Sequence, residues 1–251
     1  MPLDLLAFAA HPDDVELCAG GTMCLLAREG YKTGVIDLTR GELGTRGTPE
    51  GRLLEAEEAS RIMGLAVREN LGLPDGGIEN APAHREAVIR TLRRHRPAIV
   101  LLNAPEDRHP DHPAAFRLVA DACFYAGLAR IETHEDDGSP QTPWRPQHTL
   151  HYIQTIDIEP TFVVDVTSAW DDRVAALTSY RSQVHSPGYE PAPGEPQTFI
   201  SNPDFLVWIE ARARAWGYRV GATYGEPFVY RHGPIGITDL VATLSRERAF
   251  R

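Results

Sequence analysis

The sequence is short of lysine above all: of its 25 basic residues only Lys32 is a lysine, the rest being arginine. That shortage excludes chemistries built on a particular lysine. A Walker-type phosphate loop needs Gly-Lys-Ser/Thr, a protein kinase needs its strand lysine, and a Schiff-base enzyme needs a desolvated amine. Lys32 sits in the polar turn "EGYKTG" and suits none of them. Positive charge is scarce as a whole. The 251 residues carry 35 acidic against 25 basic groups, a net −10, and no basic run is interleaved with aromatics, so nucleic acid is not expected as a partner. No apolar run approaches the roughly 18 residues of a membrane span. The opening "MPLDLLAFAAHPDD" has no basic segment before its few apolar residues and reads as a first strand, not a signal peptide. A cytoplasmic protein without a membrane partner is expected. The three cysteines, Cys18, Cys24 and Cys123, lack C-x-x-C spacing, which fits reduced core thiols better than disulfides or a structural zinc site.

What remains is an ordinary globular composition, 42% hydrophobic and 24% charged, of a length that suits one α/β domain. "LDLLAFAA", "TGVIDLT" and "AIVLLNA" are short apolar runs bounded by turn residues, the mark of buried parallel strands. A weaker run near "RENLGL" makes a further strand between the last two. Helical patterns over about 15–29, 50–63, 82–95 and 112–127 alternate with them. Alternation of this kind predicts a Rossmann-like, mostly parallel, doubly wound sheet over residues 1–130. Beyond it, residues 131–251 read as an extension of the same 1–251 domain. It holds strand-like "TLHYIQTI" and "TFVVDVT", helices near 168–183 and 203–217, a loop with five prolines in 187–203, and a final strand "PFVYR".

Two histidine clusters carry the chemistry. "AHPDD" supplies His11, Asp13 and Asp14, and "EDRHPDH" supplies Asp107, Arg108, His109, Asp111 and His112. Each follows a strand directly. In a Rossmann-like order the first and fourth strands are neighbours across the point where strand order reverses, and ligands bind outside the carboxyl ends there. The clusters should therefore face each other. Two imidazoles and one carboxylate leave a divalent metal with an open coordination position, the catalytic pattern for zinc, and zinc acidifies its water and polarises a carbonyl. His11, one of Asp13 and Asp14, and one of His109 and His112 would make the set. The surplus carboxylate can take a proton from water and the surplus imidazole can stabilise an oxyanion or protonate a leaving amine. Spacing alone does not separate ligand from base. Taken singly, "HPDD" fits a helix N-cap turn and "HPDH" a polar loop tip; both together, after adjacent core strands, favour a functional site.

The pair "AHPDD" and "DRHPDH" resembles the LmbE/PIG-L superfamily of zinc-dependent N-acetylglucosaminyl deacetylases. The similarity continues through "DLTRGELGTRGTPEGRLLEAEEASRIMGL", "NLGLPDGGI", "YRSQ" and "YGEPF", a set similar to the N-acetylglucosaminyl-L-malate deacetylases of bacillithiol biosynthesis. The resemblance implies that His11, Asp14 and His112 bind zinc, with ferrous iron or another divalent ion as alternative occupant. It implies Asp13 as general base, His109 as acid or oxyanion stabiliser, and Asp111 as the residue that tunes it. Arg52 would hold a substrate carboxylate, and Arg108 would have a structural role or a direct contact. It further implies a small anionic sugar-malate substrate and a homo-oligomer, a hexamer in many members. The "PGYEPAPGEP" region departs most from the family pattern.

Three other readings compete. His11-x-Asp13 with a distant histidine also fits the facial triad of non-haem iron oxygenases, but those that use it sit on a double-stranded β-helix. A non-catalytic carbohydrate- or metal-binding module would need no base beside the metal. A thiol S-conjugate amidase would use the same centre on a different amide.

Overall fold

The computed structural model describes residues 2–239; the last part of the expected C-terminal extension, residues 240–251, lies outside them. The first half alternates strand and helix as β1 (Leu5–Ala9), α1 (Asp14–Arg28), β2 (Thr33–Asp37), α2 (Pro49–Met63), β3 (Val67–Asn70), α3 (Pro82–His95), β4 (Ile99–Leu102) and α4 (Asp111–Tyr125). The second half adds β5 (His148–Tyr152), β6 (Phe162–Asp165), α5 (Trp170–Thr178), α6 (Asp204–Val220) and β7 (Gly225–Tyr230). One sheet of seven strands results, in the order β3-β2-β1-β4-β5-β7-β6. β1 through β5 pair in parallel, while β7 runs antiparallel to both β5 and β6. This is the expected α/β class, with β1 and β4 in contact at the reversal of strand order.

Burial on both faces explains why the central strands read as unbroken apolar runs. Successive side chains of a strand point to opposite faces. Leu5, Ala7 and Ala9 accordingly join one core, with Val15, Met23, Ala59 and Tyr180. Leu6, Phe8 and Ala10 join the other, with Val88, Leu92, Leu118 and Val119 from α3 and α4. Helix ends follow local chemistry. Thr48 caps α2, its hydroxyl accepting from the Gly51 N–H at 3.0 Å, with Pro49 in the first turn and Gly64 at φ 67° closing it.

The helix expected near 168–183 is shorter: one turn of 3-10 helix at Thr167–Ala169 leads into α5, which stops at Thr178. Residues past that point turn their side chains inward. The Tyr180 hydroxyl donates to Glu16 Oε1 at 3.0 Å, and Gln183 accepts from Arg52 at 2.8 Å. Continued helix would carry these groups away from their partners. The helix expected near 203–217 runs a turn longer, to Val220, ended by Gly221 at φ 78°. Among the described residues no helix is long and apolar enough to cross a membrane.

His151 on β5 is 2% exposed, with Nδ1 lacking a hydrogen-bond partner and the ring edge-on to Phe116. Burial, with Arg231 adding to it, holds its imidazole down at about 4. The unfolded chain then binds more protons below its ordinary value of 6.5, so stability falls as pH drops through this window. The full effect is about 3 kcal/mol by pH 4. His151→Gln should flatten that part of the stability profile, as read from urea midpoints between pH 7 and pH 4; an unchanged slope would assign the acid sensitivity elsewhere.

Candidate metal centre

The residues of the first cluster leave β1 through a strained turn. Asp13 occupies the N-cap position of α1 at φ 111°, one of two non-glycine residues with positive φ among those described. Such a backbone costs of the order of 1–3 kcal/mol and persists only where the surroundings enforce it. An N-cap aspartate ordinarily spends its carboxylate on the helix's free N–H groups, yet Asp13 makes no side-chain cap bond. Its carboxylate is buried in the cavity instead. Asp14, in the first turn of α1, is fixed from three sides: Oδ2 accepts from the His11 N–H at 3.1 Å and Asn103 Nδ2 at 3.0 Å, and Oδ1 accepts from Gln154 Nε2 at 3.1 Å.

The second cluster meets the first across the β1–β4 junction. His112 Nε2 lies 3.2 Å from Asp14 Oδ1, and His11 Nδ1 lies 3.9 Å from Asp14 Oδ2. The opposite nitrogen of each ring is held by a carboxylate. His112 Nδ1 is 2.9 Å from Asp107 Oδ1; His11 Nε2 is 3.1 Å from Asp75 Oδ1 and 3.3 Å from Asp111 Oδ2. A carboxylate behind an imidazole makes that nitrogen the N–H donor and turns the lone pair of the other toward a metal. Both lone pairs then converge on Asp14. Ligand atoms of His11, His109 and His112 lie within 4.8 Å of one another, and with Asp14 beside two of these rings the donors fit a divalent cation that takes nitrogen and carboxylate ligands.

The electrostatics agree. Burial alone lowers the imidazoles, but Asp111, Asp75 and Asp14 outweigh it and raise His11 to about 10, while Asp14 and Asp107 raise His112 to about 9. A pocket that attracts protons this strongly is a pocket for positive charge. Burial tends to raise Asp14 as well, but His112 and His11 hold it below the ordinary carboxylate range. Asp13 moves the other way. Burial raises it to about 7, opposed by Arg52 and helped by Asp14. Two adjacent carboxylates are thus driven apart, which separates an anionic ligand from a proton acceptor.

His109 stands beside these groups, its ring 4.6 Å from that of His11 and 5.0 Å from that of His112. The Asp111 N–H donates to its Nδ1 at 3.3 Å, leaving Nε2 to carry the proton of the neutral ring. Burial and the two neighbouring imidazoles keep it below its ordinary value. The Asp111 carboxylate accepts from the Gly76 N–H at 2.8 Å and faces His11, and it acts on the His109 imidazole through its charge, which pulls against the lowering. Arg52 Nη2 donates to Gln183 Oε1 at 2.8 Å and to Asp13 Oδ2 at 3.4 Å, and Nη1 donates to the Gly41 carbonyl at 3.2 Å. Gly41 is at φ 65°, and a Cβ there would overlap the Arg52 guanidinium. Among the described residues Arg108 makes no hydrogen bond or ion pair, and its guanidinium stacks over Phe199 at 4.9 Å. His11, Asp13, Asp14, Arg52, Arg108, His109 and His112 line one cavity of about 400 Å³, and Asp111 does not.

Asn103 and Gln154 also belong to the site and stand outside every motif, while Asp75 and Asp107 stand inside the motifs "NLGLPDGGI" and "EDRHPDH" without a role of their own. Each follows the carboxyl end of a strand: Asp75 after β3, Asn103 and Asp107 after β4, Gln154 after β5. That position was the available signal. Asp107 also accepts the His109 N–H through Oδ1 and the Thr155 N–H through Oδ2, so Asp107→Asn removes an acceptor as well as the charge behind His112 and should lower metal affinity about 10–100-fold in a chelator competition; undiminished affinity would remove Asp107 from the support of the ligand.

Comparison with known proteins follows the same lines. The PIG-L family model, described as GlcNAc-PI de-N-acetylase, matches residues 6–123, which span both clusters. The conserved protein TT1542 from Thermus thermophilus has a crystal structure similar to this one at TM-score 0.81, with 39% identity over 95% of this chain and 98% of that one. The 1D-myo-inositol 2-acetamido-2-deoxy-alpha-D-glucopyranoside deacetylase 2 of Saccharopolyspora erythraea is 31% identical over 70% of this chain and 81% of its own length. The diacetylchitobiose deacetylase of Thermococcus kodakarensis is 28% identical over 71% and 69%. A 4-oxalmesaconate hydratase of Pseudomonas putida matches at 29% over 72% and 74%, so the scaffold hosts more than one reaction class. Motif positions, fold and relatives converge on one statement: this chain belongs to the PIG-L (LmbE) family of deacetylases.

Proposed function

We propose that the chain hydrolyses the N-acetyl group of an N-acetylglucosamine glycoside with zinc as its metal, and that the aglycone is small and anionic, malate being the candidate the sequence similarity implies. The observation that carries the reading is the uncapped, strained Asp13 beside Asp14. A binding module needs no second carboxylate held free of its cap duty, whereas hydrolysis needs a base.

His11, Asp14 and His112 would hold the metal, which when bound supplies Lewis-acid activation of water and of the amide carbonyl. The chain's own groups do the rest. Asp13 accepts the proton of the attacking water at its carboxylate, with Arg52 limiting the rise that burial imposes. His109 offers its Nε2 proton to the oxygen that gains charge as the carbonyl becomes tetrahedral. The C–N bond breaks once a proton from Asp13 or His109 reaches the nitrogen, giving acetate and a free amine. Arg52 spends three of its five N–H donors on Gly41, Asp13 and Gln183, and its buried Nε has no partner. Arg108 lines the same cavity without a polar partner among the described residues, so both guanidiniums are open to a substrate carboxylate.

Acetate release across malate, inositol and chitobiose glycosides of N-acetylglucosamine, with metal content recorded, tests this reading. Turnover of the malate glycoside above the other two supports the anionic aglycone, and preference for the chito-oligosaccharide overturns it. Hydration of an unsaturated dicarboxylate without any acetate release would move the chain to the hydratase side of its family.

A further inference from the structure

The segment "YGEPF" takes no part in the chemistry above, yet its glutamate is buried against the helix that carries Asp13 and Asp14. Glu226, on β7, reaches the middle of α1. Its Oε1 accepts from the Gly21 N–H at 2.9 Å, and its Oε2 accepts from the Thr22 N–H at 2.8 Å and the Thr22 hydroxyl at 2.6 Å. Arg173, on α5 and also buried, places Nε 2.9 Å from Glu226 Oε1, and its Nη2 donates to the Leu17 carbonyl at 2.5 Å. In an α-helix the N–H of one residue and the carbonyl four positions before it form one rung of the hydrogen-bond ladder. The ion pair therefore meets both ends of a single rung, Gly21 and Leu17.

Two glycines open the way. A Cβ on Gly21 would lie 2.8 Å from Val166 Cβ and 3.1 Å from Glu226 Oε1, and one on Gly20 would lie 3.3 Å from Arg173 Cγ. Glycine is a poor residue for a helix interior, and a buried ion pair is weak evidence of stability. The two together make sense where the placement of the helix matters more than its strength. The Leu17 N–H donates to the Asp13 carbonyl at 2.9 Å, so Leu17 alone joins the strained residue to Arg173. A positive φ persists only where the surroundings enforce it, and the Asp13 side chain supplies no cap bond of its own.

Resting on the reading of Asp13 as the base, we infer that Arg173 and Glu226 are its positioning residues. Anchored on α5 and β7, the pair fixes the first turn of α1 and with it the direction in which the Asp13 carboxylate enters the cavity. Neither residue lines that cavity. Asp14 has anchors of its own in His11, Asn103 and Gln154, so the pair acts on the base and not on the metal ligand.

The test uses two conservative variants, either of which suffices if the other fails to fold. Glu226→Gln keeps the outline but turns an NH2 group toward the N–H donors of α1. Arg173→Lys keeps the charge but offers one nitrogen where the guanidinium spans two partners. Each should lower kcat for acetate release about 10–100-fold, the effect of a group misplaced by about 1 Å, with KM and metal affinity within about twofold of wild type. Amide hydrogen exchange supplies a readout that needs no turnover: the Leu17 N–H should exchange about 10-fold faster relative to the amides of β1. Undiminished kcat, a rise in KM or a loss of metal in place of the fall in kcat, or exchange that quickens equally in β1, overturns the inference. A wild-type protein that cleaves no amide overturns the hydrolase reading instead, and the exchange comparison still decides whether the pair holds the turn.

Discussion

Asp13→Asn should lower kcat for amide hydrolysis by about 10²–10⁴-fold, the span attributed to a positioned general base, while metal content stays at the wild-type level. Asparagine is the informative replacement for two reasons. It keeps the side-chain outline, and it tolerates positive φ better than most residues, so the strained turn at φ 111° need not rearrange. The metal ligands are anchored independently of it, since Asp14 is held by His11, Asn103 and Gln154. Metal analysis and acetate release on one preparation therefore distinguish the roles. Loss of metal with activity would make Asp13 a ligand, and retention of most activity would leave the proton transfer to another group.

The second large effect is on the fold. Arg68 on β3 is buried and pairs with two carboxylates: Nε and Nη2 donate to Asp37 at 2.8 and 2.9 Å, and Nη1 donates to Glu16 at 2.5 Å. Tyr180 adds its hydroxyl to Glu16. Arg68→Met leaves both carboxylates in the interior without their cation. Removing one partner of a buried pair costs about 3–5 kcal/mol, here a melting point lower by roughly 10 °C or more. The pH dependence carries a sign. Burial already raises the Asp37 carboxyl against the pull of Arg68, and without the guanidinium it rises further. The folded variant then binds more protons than the unfolded chain above the ordinary carboxylate value, so its stability deficit shrinks as pH falls. Scanning calorimetry at pH 8 and pH 5 should show a larger deficit at pH 8. A small deficit would mean that the pair adds nothing over an apolar side chain of similar size, and a large deficit independent of pH would remove Asp37 as the group that titrates.

Much of the fold was legible because its signals are local. β1, β2 and β4 are unbroken apolar runs, and the helices between them keep their periodicity, so alternation alone led to the sheet and to the meeting of β1 and β4. β3 was harder to place, since an edge strand reading Val-Arg-Glu-Asn carries charges whose partners lie elsewhere in sequence. α5 was drawn too long because what stops it is tertiary: Tyr180 and Gln183 are bound by groups more than a hundred residues away. The site divides in the same way. Histidines and aspartates two or three apart announce a shared purpose. Asn103 and Gln154 each stand alone after a strand, where such residues ordinarily serve turns, and Asp75 sits in a motif that gives it no chemistry; only the assembled sheet brings them to the metal ligands. Arg52 lies between these cases: the motif marked it as important, and three-dimensional contacts tie it to Asp13.

The turn at Asp13 narrows what this position can be. A base there could in chemical terms be a glutamate, but a longer side chain on a backbone at φ 111° would have to fold back on itself. Glycine would relax the turn and contribute no proton acceptor. Asparagine fits the turn and cannot take the proton. Reactivity and conformation draw two separate short lists from the twenty amino acids, and aspartate is where the lists intersect.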